Sequence, residues 1–391
     1  MRVGFDAVRA FRNSTGLGHY ARRLLAGLLG AGRCIEAHLY AAAAPRPEFA
    51  GLSRELGATL HRAGGIWEAR GAQSIWRTWR LGRRAAADGV ELYHGLSHEI
   101  PRDLPRTGIP SVLSVLDLLW VRFPGLYRRP DRASYEWRYR WSAAHADAIV
   151  AVSWQTRSDL LAFYGVDPSR VTVIPPASDP RFAAPVPEPA RRRVLQEHRL
   201  PEQFLLSVGT LEPRKNQRTA IAALAELDPE LTPPLVLVGG DHGSGAELTR
   251  LAERVGLADR VHIRTGVPDS ALPALMQSAT LFLYPSLFEG FGLPIVEALA
   301  AGVPVITSEG GCFPEAGGPD SIYVPATDAI ALGSQIRRVL DDPALAQRMR
   351  ETGREFAKQF DGGLLAARLL DLYESVRADR KLREETSRCA G

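Results

Sequence analysis

Two adjacent cations, Arg214 and Lys215, stand in the run Glu212-Pro213-Arg214-Lys215-Asn216, between an apolar segment, FLLSVGTL, and a helical one, NQRTAIAALAEL. Positive charge at the start of a helix opposes the helix dipole. The placement makes sense where an anion is to be held, because backbone N–H groups and cations then converge on it. The chain has only three lysines, so Lys215 is not compositional background. A second loop, Leu287-Phe288-Glu289-Gly290-Phe291-Gly292-Leu293-Pro294, follows TLFLYPS and precedes IVEALAAG. Pro294 suits a first helical turn, and Gly290 and Gly292 let the backbone pass close to a ligand. Glu289 lies in that loop and Glu297 eight positions on. Glu297 has two readings. It complements the dipole at a helix start, or, with Glu289, it accepts hydrogen bonds from sugar hydroxyls, as a carboxylate after a strand grips a ribose in dinucleotide folds. A third run, Ser14-Thr15-Gly16-Leu17-Gly18-His19-Tyr20, follows the first strand and opens the helix YARRLLAGLL. Gly16 and Gly18 fit a simple turn, and equally a loop that faces phosphate.

Other chemistries leave no trace. There is no Gly-x-x-x-x-Gly-Lys loop, no His-Glu-x-x-His and no Asp-x-Asp. A diphosphate leaving group must have its developing charge stabilised, and without a metal motif the candidates are Arg214 and Lys215. No metal and no cofactor are therefore expected. Cys34, Cys312 and Cys389 are far apart and odd in number, which argues against a disulfide framework or a zinc site.

These loops need elements to position them. Apolar runs alternate with helical patterns along the whole chain. MRVGFDAV, VELYHGL, PSVLSVLDL, AIVAVS and VTVIPPA read as buried strands in the first half. FLLSVGTL, PLVLVGG, VHIRTGV, TLFLYPS, VPVITSE and SIYVPA read so in the second. Strand–helix alternation of this kind implies parallel sheets covered on both faces. It occurs twice, which predicts an α/β protein of two doubly wound domains, with ligands beyond the C-terminal ends of the strands. The expected limits are residues 1–180 and 181–360, with a closing helix over 361–391 that packs back on the first domain. Residues 175–190, PPASDPRFAAPVPEPA, read as a linker that forms neither helix nor central strand.

With 391 residues, 45% hydrophobic and 24% charged, the chain has the composition of an ordinary globular protein. No stretch approaches the ~20 apolar residues of a membrane span. The N-terminus MRVGFDAVRAF lacks the apolar core of a signal peptide, and a cytoplasmic protein is expected. The net charge of +4 hides an asymmetry: residues 1–185 hold 25 arginines and no lysine against 16 acids, and the remainder is net acidic. The basic half suits an anionic partner such as a membrane surface or a phosphorylated acceptor. No recognition motif for nucleic acid accompanies it. Residues 72–86 plot as one helix, with Ile75, Trp76, Trp79 and Ala86 on one side and Arg77, Arg80 and Arg84 opposite. Such a helix either packs on its own sheet or sits on an anionic membrane.

In this order the loops resemble those of the retaining glycosyltransferases of family 4, which have the two-domain GT-B fold. The resemblance rests on Gly16 to Tyr20, Ala146 to Ser153, Val171 to Pro175, Gly209 to Asn216, Val238-Gly239-Gly240, and Tyr284 through Glu297, and so spans nearly the whole chain. It implies two domains facing a central cleft. Arg214 and Lys215 would bind the diphosphate of a nucleotide-sugar donor, with Gly239 in the same site, and Glu297 its ribose. Glu289 would hold the transferred sugar, with the backbone of Phe291, Gly292 and Leu293. Val267 would meet the base through its backbone, and Gly16 and Gly18 would close over the phosphates. His94 or His98 would contact the donor sugar, and Asp117 would position the acceptor. The family transfers with retention and without a metal. The function so implied is transfer of a mannose-like or glucose-like hexose, with a lean toward guanosine-diphosphate mannose, to a glycan or lipid-linked acceptor at the inner face of the plasma membrane. A nucleotide-sugar epimerase or phosphorylase on the same fold, and a catalytically dead sugar-binding relative, are the alternatives.

Overall fold

The computed structural model describes residues 1–32, 35–69 and 71–389. They form two compact units. One is Met1–Ala177 together with the helix Gly362–Cys389, and the other is Ser178–Asp361. Cys34 lies outside the described residues.

The first unit holds seven strands: β1 (Arg2–Asp6), β2 (Glu36–Ala41), β3 (Thr59–Arg62), β4 (Leu92–Gly95), β5 (Ser111–Val115), β6 (Ala148–Ala151) and β7 (Val171–Val173). Their order across the sheet is β3-β2-β1-β4-β5-β6-β7, and every pairing is parallel. The second unit holds β8 (Leu205–Val208), β9 (Leu235–Val238), β10 (Val261–Arg264), β11 (Leu281–Tyr284), β12 (Val305–Ser308) and β13 (Ile322–Val324). Their order is β10-β9-β8-β11-β12-β13, again all parallel. In each sheet the strand order reverses once, between β1 and β4 and between β8 and β11. At such a reversal the following loops diverge and leave a crevice for a ligand.

All eleven expected strands are present. The two missed ones, β2 and β3, lie at one end of the sheet, with β3 as its edge strand. β2 carries Glu36 and His38 among its apolar residues, and β3 reads TLHR, half exposed, so neither shows an apolar run. The linker expectation is corrected: residues 175–190 contain the helix Pro180–Ala183 and the start of Glu188–Glu197. Their prolines sit at or just before the first turn, where the missing N–H has no intrahelical bond to make, and Asp179 caps the first of them through Arg181 N.

The single helix over 72–86 is also corrected. Two helices, Ala72–Trp79 and Leu81–Ala87, meet at Arg80, which is the C-cap of one and the N-cap of the other. Trp76 is buried, Ile75 and Trp79 are exposed, and Arg77 is turned inward against Asp6. The helix expected to open near Tyr20 spans Gly16–Gly30 instead, after a short helix Val8–Arg12.

The long helix Gly362–Cys389 completes the first unit's core. Leu365, Leu369, Leu370 and Tyr373 pack in one cluster with Leu25 and Leu28 of Gly16–Gly30. The two helices cross closely at Gly27, where a Cβ would stand 2.9 Å from the Gly362 carbonyl oxygen.

Candidate functional site

In the second unit the two loops at the β8–β11 reversal are tied to each other residue by residue. β8 ends at Val208, and Gly209 follows with φ +156°, a conformation that favours glycine. A Cβ there would meet the Lys215 stem at 3.4 Å. Residues Pro213–Lys215 make one 3-10 turn, and Asn216 at φ +55° turns the chain into the helix Gln217–Ala225. Asn216 is buried and is a clamp. Its Nδ2 donates to the carbonyls of Pro285 (2.9 Å) and Ala326 (2.7 Å), beyond β11 and β13. Leu287 N donates to the Arg214 carbonyl at 2.9 Å, and Arg214 Nη1 donates back to the Phe288 carbonyl at 2.8 Å.

Glu289 lies where these ties converge. Its Oε1 is 2.7 Å from Lys215 Nζ and 3.1 Å from the Tyr284 hydroxyl, and its Oε2 is 2.7 Å from Arg214 Nη1. The Tyr284 hydroxyl in turn accepts from Lys215 Nζ at 2.7 Å. Glu212 takes Arg214 Nη2 at 2.6 Å. Burial pushes the Glu289 carboxyl up, but Lys215 and Arg214 beside it outweigh that and hold it down at about 2. Burial likewise opposes the charge on Arg214, and Glu289 and Glu212 overcome it, so its pKa is raised. Lys215 is pulled below the ordinary amine value by burial, with Glu289 opposing. The result is a buried, ionised carboxylate bridging two cations. Each carboxylate oxygen has two lone-pair directions, so Glu289 keeps capacity for a ligand hydroxyl.

The glycine-rich loop completes this end of the sheet. Gly292, at φ +99°, is the N-cap of Leu293–Ala300, with Pro294 in its first turn. The Phe291 ring is buried against Phe360, so what this loop can offer a ligand is backbone. Glu297 is buried within Leu293–Ala300. Gly239, just after β9, approaches the backbone of Gly209 so closely that a Cβ would stand 1.9 Å from its oxygen. Val267 follows Gly266 in the loop after β10, half-buried. Arg214, Lys215, Glu289 and Tyr284 are thus brought together, with Gly239 and the Gly292 turn on the same sheet end.

The residues expected from the first unit are placed differently. His94 lies within β4 and is fully buried. Its Nδ1 is 2.5 Å from the Tyr373 hydroxyl and its Nε2 is 2.8 Å from Ser114 Oγ, which bonds the Tyr20 hydroxyl at 2.7 Å. Both ring nitrogens are spent on core hydroxyls, so His94 has none to offer a substrate. Burial lowers its pKa to about 3.

His98 is different. It adopts φ +63°, stacks on Tyr139, and accepts the backbone N–H of Leu116 on Nε2 at 3.1 Å. The Asp117 N–H also points at Nε2, at 3.4 Å, and the Asp117 carbonyl lies 3.2 Å from it. The two N–H donors favour the tautomer with the ring proton on Nδ1. Burial lowers its pKa to about 4, against the opposing carbonyl of Asp117. Asp117 Oδ1 accepts from Leu119 N at 3.1 Å, a local cap. Gly18 is needed for packing, since a Cβ would stand 1.8 Å from the Asn13 carbonyl oxygen, and its N–H already bonds Asn13 Oδ1 and the Thr15 carbonyl. Gly16 is open, with nothing near its Cβ direction.

Tyr284, Asn216 and Glu212 escaped the sequence reading as functional side chains. Tyr284 ends an unbroken apolar strand and reads as core. Asn216 and Glu212 flank the cation pair, and their position beside two adjacent charges was the available signal.

The chain is similar to known proteins. Residues 14–182 match the model of Glycosyltransferase Family 4, and residues 191–356 that of Glycosyl transferases group 1. The chain is 30% identical to O-antigen chain mannosyltransferase B of Escherichia coli over 72% of its own length and 74% of that protein. It is also 30% identical to the D-inositol 3-phosphate glycosyltransferase of Corynebacterium glutamicum, over 62% of this chain and 60% of the relative. The crystal structure of Anabaena Alr3699/HepE in complex with UDP-glucose superposes with a TM-score of 0.72 at 18% identity, covering 96% of this chain and all of that one. Two parallel doubly wound sheets of the GT-B kind, a bridged cation pair at the reversal of the second, and relatives over most of the length lead to one conclusion: the chain belongs to the family 4 glycosyltransferases, enzymes of glycan biosynthesis.

Proposed function

We propose that the cluster around Glu289 is the donor site, and that the enzyme moves a hexose from a nucleotide-diphosphate sugar to a glycan or lipid-linked acceptor with retention of configuration. The observation that carries this reading is the pair Arg214–Lys215, half-buried and both held on one buried carboxylate at the sheet end where a ligand is expected. In the reaction the bond between the anomeric carbon and the diphosphate oxygen breaks. A bond forms from the acceptor hydroxyl oxygen to that carbon, and the hydroxyl proton passes to the leaving phosphate. Arg214 and Lys215 stabilise the charge that develops on the leaving group, the task a metal performs elsewhere. Glu289, Glu297 and the backbone of Phe291, Gly292 and Leu293 hold the sugar and ribose hydroxyls, and Val267 lies toward the base. In the first unit His98, with its Nδ1–H, is the histidine suited to a substrate hydroxyl, with Asp117 next to it.

The donor base is open between two supports. The mannosyltransferase relative favours a mannose donor, and the UDP-glucose held by the structural neighbour favours a uridine one. Release of nucleoside diphosphate from UDP-glucose and from GDP-mannose, without acceptor and with excess EDTA, tests the reading. Turnover of one donor in chelator is expected, and turnover that returns only with added magnesium overturns the metal-free step. Neither turnover nor binding of any nucleotide sugar favours the catalytically dead relative.

A further inference from the structure

We infer that the first unit carries a surface that docks on an anionic lipid bilayer, built from three tryptophans around Arg102. The Arg102 guanidinium lies 3.6 Å from the centre of the Trp137 ring, 4.7 Å from that of Trp141 and 5.7 Å from that of Trp79. Its Nη2 donates to the Trp137 carbonyl at 3.3 Å, and its backbone N–H to the Thr78 carbonyl. The ring stack thus joins the helices Ala72–Trp79 and Arg129–His145. Trp137 is 56% exposed, Trp79 48%, and Ile75, one helical turn before Trp79, 54%. Large apolar side chains half in water over a contiguous patch are unusual on a surface with no partner.

Charge selects the partner. Arg80 follows Trp79 directly, with its guanidinium 5.3 Å from the centre of the Trp67 ring. Arg83 and Arg106 are exposed on the neighbouring helix Leu81–Ala87 and turn Leu104–Thr107. Like Arg102, these three have no ion pair among the described residues. The acids close by are already used. Glu99 is bound to Arg138 and Arg77, and Asp103 is buried, accepting the backbone N–H groups of Gly82 and Arg83. Tryptophan rings settle at the headgroup level of a bilayer, and arginines hold its phosphates. A protein partner would be met by the same apolar rings, but three further exposed arginines without ion pairs beside Arg102 are complementary to a surface of like negative charges. No helix among the described residues is long and apolar enough to cross a membrane, so the contact lies on the bilayer.

The surface owes nothing to the donor site. Only its use, holding the enzyme where a lipid-linked acceptor lies, rests on the proposed function. The test is flotation of the full chain with phosphatidylcholine vesicles, with and without phosphatidylglycerol. The chain should float with the anionic vesicles alone and be released by high salt. Each of Arg80→Gln, Arg83→Gln and Arg106→Gln should weaken binding about fivefold, since an arginine near such a surface contributes about 1 kcal/mol. Trp79→Ala with Trp137→Ala should abolish flotation, while the chain still folds, by its far-ultraviolet dichroism, and binds nucleoside diphosphate as the wild type does. Failure to float, equal flotation with neutral vesicles, undiminished flotation of the tryptophan double variant, or capture by an acidic polysaccharide without flotation each overturns the inference. A chain that floats but binds no nucleotide refutes the donor reading alone, and one that binds nucleotide without floating refutes this surface alone.

Discussion

Glu289, expected to face sugar hydroxyls, also bridges Lys215 and Arg214. The two roles are compatible, because a carboxylate already neutralised by two cations costs little to keep in place when a diphosphate arrives to share them. Removing Lys215 should therefore act on turnover more than on folding, since Arg214 still holds Glu289. Lys215→Ala is expected to lower donor turnover by about a hundredfold to a thousandfold, the range seen when one donor to a developing charge is lost, and Glu297→Ala to abolish it through lost hold on the ribose. Tyr284→Phe should cost less, as it deletes one hydroxyl from the Lys215–Glu289 pair. Steady-state release of nucleoside diphosphate and a thermal melt on each variant check this.

The histidines carry a separate residue-scale prediction. His94 and His98 are held by burial at about 3 and about 4. Free histidine titrates near 6.5. A group whose folded pKa is depressed binds fewer protons folded than unfolded, so the first unit should lose stability as pH falls from about 6.5 toward 4 and show no such dependence above. Melting midpoints across that range should fall for the wild type and fall less for His94→Gln. Parallel curves would remove His94 from the account. The sequence could show that a histidine ended an apolar strand. It could not show that hydroxyls of Tyr373, 279 positions away, and Ser114 use up both ring nitrogens.

Among the elements, the closing helix Gly362–Cys389 does the most for the first unit, because it supplies Leu369 and Tyr373 to that core. Leu369→Ala should destabilise the first unit by about 2–5 kcal/mol, the usual cost of emptying a buried leucine site. Chemical unfolding followed by tryptophan fluorescence would read it, because all seven tryptophans lie in the first unit's part of the chain. The elements also show what a sequence can disclose. The inner strands β8, β9, β11 and β12 of the second unit are buried almost throughout and announce themselves as apolar runs. The part-buried edge strands β10 and β13 keep enough of that pattern to be read. β2 and β3 do not. β2, paired on both sides and buried after Glu36, breaks its apolar run with Glu36 and the buried His38. The edge strand β3 is half exposed and carries Arg62. The helix over 72–86 was misread because its apolar pattern runs on through Arg80, where the backbone breaks. Only Trp76 of its expected apolar stripe is buried, and Arg77 faces Asp6 at 2.6 Å.

On the scale of the whole molecule, the chain is two units of unequal continuity. Ser178–Asp361 is one uninterrupted segment, whereas the other unit needs both ends of the chain. The segment 178–361 alone should unfold cooperatively and bind nucleoside diphosphate, because every partner of Lys215 and Glu289 lies within it. A chain ending at residue 361 should keep that binding and lose the fold of its first unit, as measured by near-ultraviolet dichroism of its tryptophans. Binding lost from both would mean that the donor site is not where the cation pair is.

The most direct test is calorimetric titration of UDP and GDP, in EDTA, into the wild type and Lys215→Ala. The account predicts that the wild type binds one of the two and that the variant, equally folded, binds it about a hundredfold more weakly, the scale of losing one buried charged partner. Equal affinity in the two proteins would contradict the assignment of Arg214, Lys215 and Glu289 to the donor.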